Sequence, residues 1–372
     1  MSALIHTEEF EDPFRSIVSE LLDQTYAMYD SLREHMRTPW RERALKIQIV
    51  DDAALNAVVR RDGNSEQIRV NRGALEHIFG TMFGLFSCPT FLPKIGHAAS
   101  EKMPPGLAGC GFPVLPLLPC CGSQLEQRAV LIPTDEGRAS MAVAFGQIAL
   151  EFLLLHEIGH IVGGLLDLPE TFSNRAYIPE TQWKMSGTDG WSFSHVLECD
   201  ADAFACDHVP FVYACREVGD SLRNVAETTG WDAEVFAMIA YVTAVAVLFR
   251  VLYPFAPSKI DSCDSSHPHP AVRACLVASS TTARALFGRR ITVATLNEVI
   301  GVAVRNVEDV WADLLLADQN PEPPDVWALN VPDAAMALFT DWGKARSRLE
   351  RHARLPRRWD MWDWPREGQA SD

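Results

Sequence analysis

Leu153-Leu154-Leu155-His156-Glu157-Ile158-Gly159-His160-Ile161-Val162 is the stretch on which the reading of this chain turns. It closes an apolar segment that begins near Asp135, and between Met141 and Leu155 only Gln147 and Glu151 are strongly polar. Such a segment predicts a core helix, apolar on nearly all sides, running to about Gly163-Gly164. His156 and His160 are four residues apart, so on a helix they project from one face, one turn apart. Two imidazoles placed that way can share one metal ion. Glu157 lies beside them, angled so that its carboxylate can take a proton from a water that zinc has acidified to a pKa of about 7. Three ionisable groups in so apolar a helix carry a desolvation cost without partners, and a metal supplies one. The plain alternative is two histidines and a glutamate at a helix end, hydrogen-bonded and inert.

A hydrolytic zinc site needs a third protein ligand and one open position. The pattern that would set a third histidine at position 166 finds Leu166 there, although Gly163 fits it. The other solution is a glutamate on a later helix, and His195-Val196-Leu197-Glu198-Cys199-Asp200-Ala201-Asp202-Ala203-Phe204-Ala205 supplies one. Glu198 and Asp202 share a helical face; Glu198 can ligate zinc while Asp202 accepts the second ring N–H of a ligand histidine and fixes its tautomer. A solvated acidic face is the alternative, but the apolar neighbours leave little surface for it. Asp200 and His195 are weaker third-ligand candidates. Further on, Ser265-Ser266-His267-Pro268-His269-Pro270-Ala271-Val272-Arg273 sets His267 in extended backbone just ahead of a helix start. An imidazole there could donate to a developing oxyanion, and Arg273 could pair with Glu198, Asp202 or another acid.

Working outward, residues 10–45 show helical spacing of Phe14, Ile17, Leu21 and Leu22, followed by a strand at Lys46–Val50. Leu55–Arg60 and Gln67–Val70 flank Asp62-Gly63 and predict a hairpin with an Asp-Gly turn. Gly73–Phe86 returns to helix. From Ser87 to Pro133 the composition shifts to eight prolines, several glycines and four cysteines, a long insert that can continue neither helix nor central strand. Loops of that length tend to be lids or binding loops, or else packed spacers; Cys110, Cys120 and Cys121 add the option of a thiolate reaching the metal. Helices are expected at about 191–227, 232–254, 270–287 and 294–317, with Trp359, Trp362 and Trp364 in a terminal tail. The divisions are thus an N-terminal helical segment (1–45), strands and a helix (46–86), the insert (87–133), the helical part with the metal motif (134–290) and a C-terminal helical extension with a Trp-rich tail (291–372).

Composition narrows the class. With 48% hydrophobic and 22% charged residues the chain is globular. A net charge of −16 argues against nucleic acid as partner, since there is no basic excess to neutralise phosphates. The first residues have no basic region leading into an apolar stretch, so no secretory signal is expected. Nine cysteines without Cys-x-x-Cys spacing suit reduced, packed thiols of a cytoplasmic protein better than a disulfide framework. The apolar run Val235–Phe249 would span roughly 22 Å as a helix, against about 30 Å of bilayer hydrocarbon. A buried core helix is expected there, not a transmembrane anchor.

Taken in order, His156-Glu157-x-x-His160, then Glu198-x-x-x-Asp202, then Ser265-x-His267-Pro268 with Arg273 six after the histidine, resemble the gluzincin peptidases of the CAAX-prenyl-protease and HtpX group. Leu55-Asn56-Ala57 and Ile68–Leu75 also resemble that group's substrate-side strands, and a soluble bacterial phage-exclusion protease is a looser analogy. The resemblance covers about residues 46–85 and 139–275. It implies an α+β, zincin-like metallopeptidase fold, mainly helical with a small sheet beside the active-site helix. It further implies Zn2+ held by His156, His160 and Glu198, Glu157 as general base, His267 acting on the transition state, and Asp202 and Arg273 in support. The expected activity is endopeptidase cleavage of a cytoplasmic protein or peptide substrate; the alternative is a non-catalytic, zinc-containing regulatory or peptide-binding protein. Glu157 favours catalysis, because a structural zinc site needs no base.

Overall fold

In the computed structural model, residues 4–38, 40–102, 131–167, 193–208, 225, 231, 233–252, 268–287, 294, 301–315 and 325–355 are described. Among them the chain is mostly helical with one small mixed sheet, an α+β arrangement. The strands are β1 (Leu4–Ile5), β2 (Ala44–Val50), β3 (Ala57–Asp62) and β4 (Ser65–Asn71), in the order β1-β2-β4-β3. β2 and β4 run parallel, with Ile47 opposite Ile68 and Ile49 opposite Val70. β3 returns antiparallel on β4, with Val59 opposite Ile68. The expected hairpin is therefore present, but its turn is Gly63-Asn64, closed by the Asp62–Ser65 pair, and not Asp62-Gly63. Gly63 takes φ 57°, and a glycine at the first central position is one of the two-residue loops that match strand twist.

Eight α-helices follow the same described chain: α1 (Phe14–His35), α2 (Arg72–Phe86), α3 (Glu136–Val162), α4 (Phe193–His208), α5 (Ala233–Leu252), α6 (Pro270–Phe287), α7 (Asn306–Leu315) and α8 (Asp325–His352). α1 is shorter than residues 10–45, and a π-type turn at Gly301–Arg305 leads into α7. α3 is the axis of the molecule: Asp135 caps it by accepting from the Arg138 amide at 2.9 Å, and α1, α2, α4, α5, β3 and β4 pack around it. The small sheet thus does lie beside the helix that carries His156 and His160. α5 is sequestered in the main core, which answers the low polarity of Val235–Phe249. By length and composition two helices, Glu136–Asp167 and Val235–Leu252, could cross a membrane; their most apolar windows are 72% and 89% buried within the chain.

The first part of the Pro/Gly-rich insert is not a free excursion. Cys88, Phe91, Leu92 and Ile95 are fully buried in the main core. A buried irregular segment needs partners for its carbonyls, and Arg138, itself 0% exposed, supplies them. Its Nε donates to Phe86 O, one Nη to Leu92 O and Ile95 O, and the other to Cys88 O and Phe91 O, at 2.7–3.3 Å. Burial lowers the Arg138 pKa, and Glu101 and Asp135 counter that. Glu101 also accepts from the Thr134 and Asp135 amides at 2.9 Å each, joining the two flanks of the insert. Residues 103–130, with Cys110, Cys120 and Cys121, lie outside the described residues, as do 209–224 and the tryptophan tail.

A second, smaller core joins α4, α6 and α8 through Val196, Cys199 and Ala203, Val272 and Leu276, and a stripe along α8. Among the described cysteines, Cys88, Cys199, Cys206 and Cys275 are buried thiols, in keeping with the expected packing.

Candidate metal centre

The two helices of the centre cross at a glycine. A Cβ built on Gly159 would lie 3.0 Å from both Ala201 Cα and Ala201 O, and 3.2 Å from Phe204 Cβ. A side chain between the two histidines would therefore press α3 and α4 apart. With hydrogen there, α4 comes close enough for Glu198, three residues before Ala201, to reach the imidazoles.

His156, His160 and Glu198 converge, with ligand atoms all within 4.8 Å of one another. His156 Nε2 and His160 Nε2 are 3.0 Å apart; Glu198 Oε2 lies 3.3 Å from the first and Oε1 3.4 Å from the second. Tetrahedral zinc, with bonds of about 2.0–2.1 Å, holds its ligand atoms about 3.3–3.4 Å apart. Each histidine nitrogen has a carboxylate oxygen at about that spacing, through different oxygens of Glu198, and the two nitrogens stand slightly closer than it. Two imidazole nitrogens that face each other at 3.0 Å need a cation or a shared proton between them. In the metal-free protein the proton is favoured: burial lowers the His156 pKa, but hydrogen bonding and charge from Asp202 and Glu198 outweigh it and raise it to about 10. Metal and proton compete for the same nitrogen, so loading the site releases protons.

Behind His156 stands a chain of acid and base. Its Nδ1 is 2.9 Å from Asp202 Oδ1, a contact that is short but not linear. Asp202 in turn accepts from Arg273 Nε at 2.8 Å and Nη2 at 2.7 Å. Burial would raise the Asp202 pKa; Arg273 and His156 overcome it and hold the carboxyl below its ordinary range. Arg273 also lies 3.4 Å from Glu198 Oε2, and its guanidinium sits 4.2 Å from the centre of the Phe249 ring. Arg273 thus lies against both acids of the cluster, Asp202 and Glu198. Glu157 is buried beside the ligands, and burial raises its pKa, against the pull of His160, His156 and Arg273. A carboxyl held high is suited to keep and return a proton near neutrality.

The other sequence candidates separate. Asp200 turns away from the cluster and accepts from Trp342 Nε1 on α8 at 3.1 Å. His195 is buried on α4 and does not belong to the cluster. His267, Ser265 and Ser266 lie outside the described residues. α6 begins at Pro270 as expected, and His269 Nδ1 accepts from the Ala271 amide at 3.1 Å. Three residues around the centre escaped sequence reading: Trp342, Phe249 and Arg354, whose Nη1 donates to Glu66 Oε1 at 2.7 Å and Nε to Asp167 Oδ2 at 2.5 Å. A signal for α8 exists, since Val331, Ala335, Leu338, Trp342, Ala345 and Leu349 alternate four and three apart. No protein-family model, curated protein or solved structure matches the chain.

Proposed function

We propose that this chain is a zinc-dependent endopeptidase with a zincin-like fold, cleaving a cytoplasmic protein or peptide substrate. The observation that carries the reading is the convergence of His156, His160 and Glu198 on one buried point with Glu157 alongside. The donor set suits zinc over magnesium or calcium, which prefer oxygen ligands. Zinc, when bound, supplies Lewis acidity toward a carbonyl and toward water. The chain does the rest. His156, His160 and Glu198 hold the ion, and Asp202 with Arg273 fixes the orientation of His156. Glu157 takes a proton from the attacking water and returns it to the leaving amine. His267 is assigned the oxyanion, on the strength of the motif resemblance.

The test pairs metal analysis with one substitution. Purified protein should carry about one zinc per chain, lost in the His156→Ala/His160→Ala double variant. Glu157→Gln should keep zinc and fold and lose turnover by about 10²–10⁴-fold. Mass spectrometry of cell proteins after expression of wild type and Glu157→Gln then identifies the products. Zinc retained with identical protein patterns in both strains would leave the non-catalytic, peptide-binding alternative in place of the peptidase.

A further inference from the structure

The helix α8 packs on α4, and the chain just past its end reaches the end of α3, so that it bears on both helices of the centre at two separate anchors. Its stripe of Val331, Ala335, Leu338, Trp342, Ala345 and Leu349 packs on α4 and α6. In the middle of that stripe the buried Trp342 donates its Nε1 to Asp200, which lies between Glu198 and Asp202 on α4. The second anchor is past the helix end. Arg354 N–H donates to Val162 O at 2.8 Å, so it satisfies a carbonyl in the last turn of α3, two residues beyond His160. The backbones are pressed together there: Gly164 takes φ 77°, and a Cβ on it would lie 2.0 Å from His352 O. The Arg354 side chain, 0% exposed, forks to Glu66 on β4 and to Asp167 just after α3, and Arg61 of β3 also pairs with Asp167. Arg354 O in turn accepts from the Arg37 amide at 2.8 Å.

Three contacts therefore fix the two ligand helices: the Gly159–Ala201 crossing, Trp342 on α4, and Arg354 on the end of α3. Trp342 and His352 are ten residues apart, about 15 Å along a helix, so α8 is the rigid third side of a triangle. We infer that α8 and Arg354 act as a clamp that sets the separation of His160 from Glu198, making Arg354 and Trp342 positioning residues of the metal centre. The inference rests on the metal-centre reading but not on peptidase activity. It makes metal affinity depend on a residue close to the C-terminal end of the sequence, far from any ligand in the chain.

The test uses full-length, metal-stripped protein, reloaded with zinc against a chromophoric chelator at a temperature where circular dichroism shows each variant folded. Loss of stability alone does not change the affinity of molecules that remain folded. Arg354→Ala leaves the backbone bond to Val162 but removes the fork to Glu66 and Asp167 that seats it, and should bind zinc about tenfold more weakly, the size of the smaller losses seen when a ligand's outer partner is removed. Trp342→Phe keeps the stripe packed but removes the donor to Asp200, and should shift affinity the same way. Lys344→Ala, on the outer face of α8, should change nothing. Amide exchange at 161–164 should quicken in Arg354→Ala. A folded Arg354→Ala protein with wild-type zinc affinity and wild-type exchange at 161–164 overturns the clamp. If wild type itself binds no zinc, the metal centre fails, and exchange at 161–164 alone decides the clamp. Should Arg354→Ala not fold, Arg354→Lys carries the same test, because a lysine cannot fork to Glu66 and Asp167 together.

Discussion

Replacing Asp202 with asparagine removes one charge and leaves the volume. In the wild type, Asp202 accepts two short hydrogen bonds from Arg273 and lies 2.9 Å from His156 Nδ1. Both Asp202 and Arg273 are almost wholly buried. An asparagine can offer Arg273 only one acceptor, and its amide nitrogen meets a second donor. Glu198, at 3.4 Å from the guanidinium, is too far to replace the two short bonds without a shift. Breaking one partner out of a buried pair costs about 3–5 kcal/mol, because it strands the other charge. Removing both charges together costs far less. Urea unfolding of the metal-free proteins should therefore show Asp202→Asn destabilised by about 3–5 kcal/mol, and Asp202→Leu/Arg273→Met recovering most of it. Zinc affinity should behave differently. It should fall about 10–100-fold in the single variant, where His156 and Arg273 contend for one neutral acceptor, and stay low in the double variant, where His156 has none. A single variant within about 1 kcal/mol of wild type, or a double variant no more stable than the single, refutes the buried-pair reasoning. Zinc affinity restored in the double variant refutes the orienting role of Asp202.

Gly159→Ala puts a methyl where Ala201 backbone already stands at 3.0 Å, so α3 and α4 must separate. The expected result is a loss of about 1–3 kcal/mol from overpacking together with weaker zinc binding, whereas Gly343→Ala, in open space on α8, should lose neither. For pH, the relevant acid away from the metal is Asp167: burial would raise it, but Arg354 and Arg61 hold it below its ordinary value. A depressed folded pKa contributes stability that is complete above the unfolded value of about 3.9 and is lost as pH falls through the folded value. The stability gap between wild type and Asp167→Asn, measured by urea unfolding, should hold from neutrality down to about pH 4 and close below it; a gap unchanged under more acidic conditions counts against the pairing.

How much of this was legible in the sequence depends on whether a feature is local. The α3 helix announced itself through a run with almost no polar residue, and the four-residue spacing of His156 and His160 placed both on one face. Glu198 and Asp202 were legible for the same reason, with apolar neighbours on either side. The α8 stripe was equally periodic, yet the helix pattern says nothing about which surface it covers, so Trp342 was not connected to Asp200. Buried arginines were the least legible. Arg138 is accommodated by five carbonyls contributed by residues 86–95, and Arg354 by acids 187 and 288 positions away. Backbone carbonyls are present at every position and carry no sequence signature. The Asp-Gly dipeptide points to a turn one residue earlier than the real one, because a dipeptide carries no register. The Val59–Ile68 pairing sets that register, and it puts Gly63-Asn64 at the tip.

The bond from Glu101 to the Thr134 and Asp135 amides has a consequence for how this chain tolerates change in length. It brings residues 101 and 134, which bracket residues 103–130 in the sequence, to one doorway, and Arg138 holds the inner side of that doorway through carbonyls of residues 86–95. The closure is already made by the domain. For a flexible segment joining two points already fixed, each halving or doubling of length changes the closure entropy by only about 0.6 kcal/mol. On that arithmetic, a change of length between residues 103 and 130 is expected to leave the helix bearing His156 and His160 its footing.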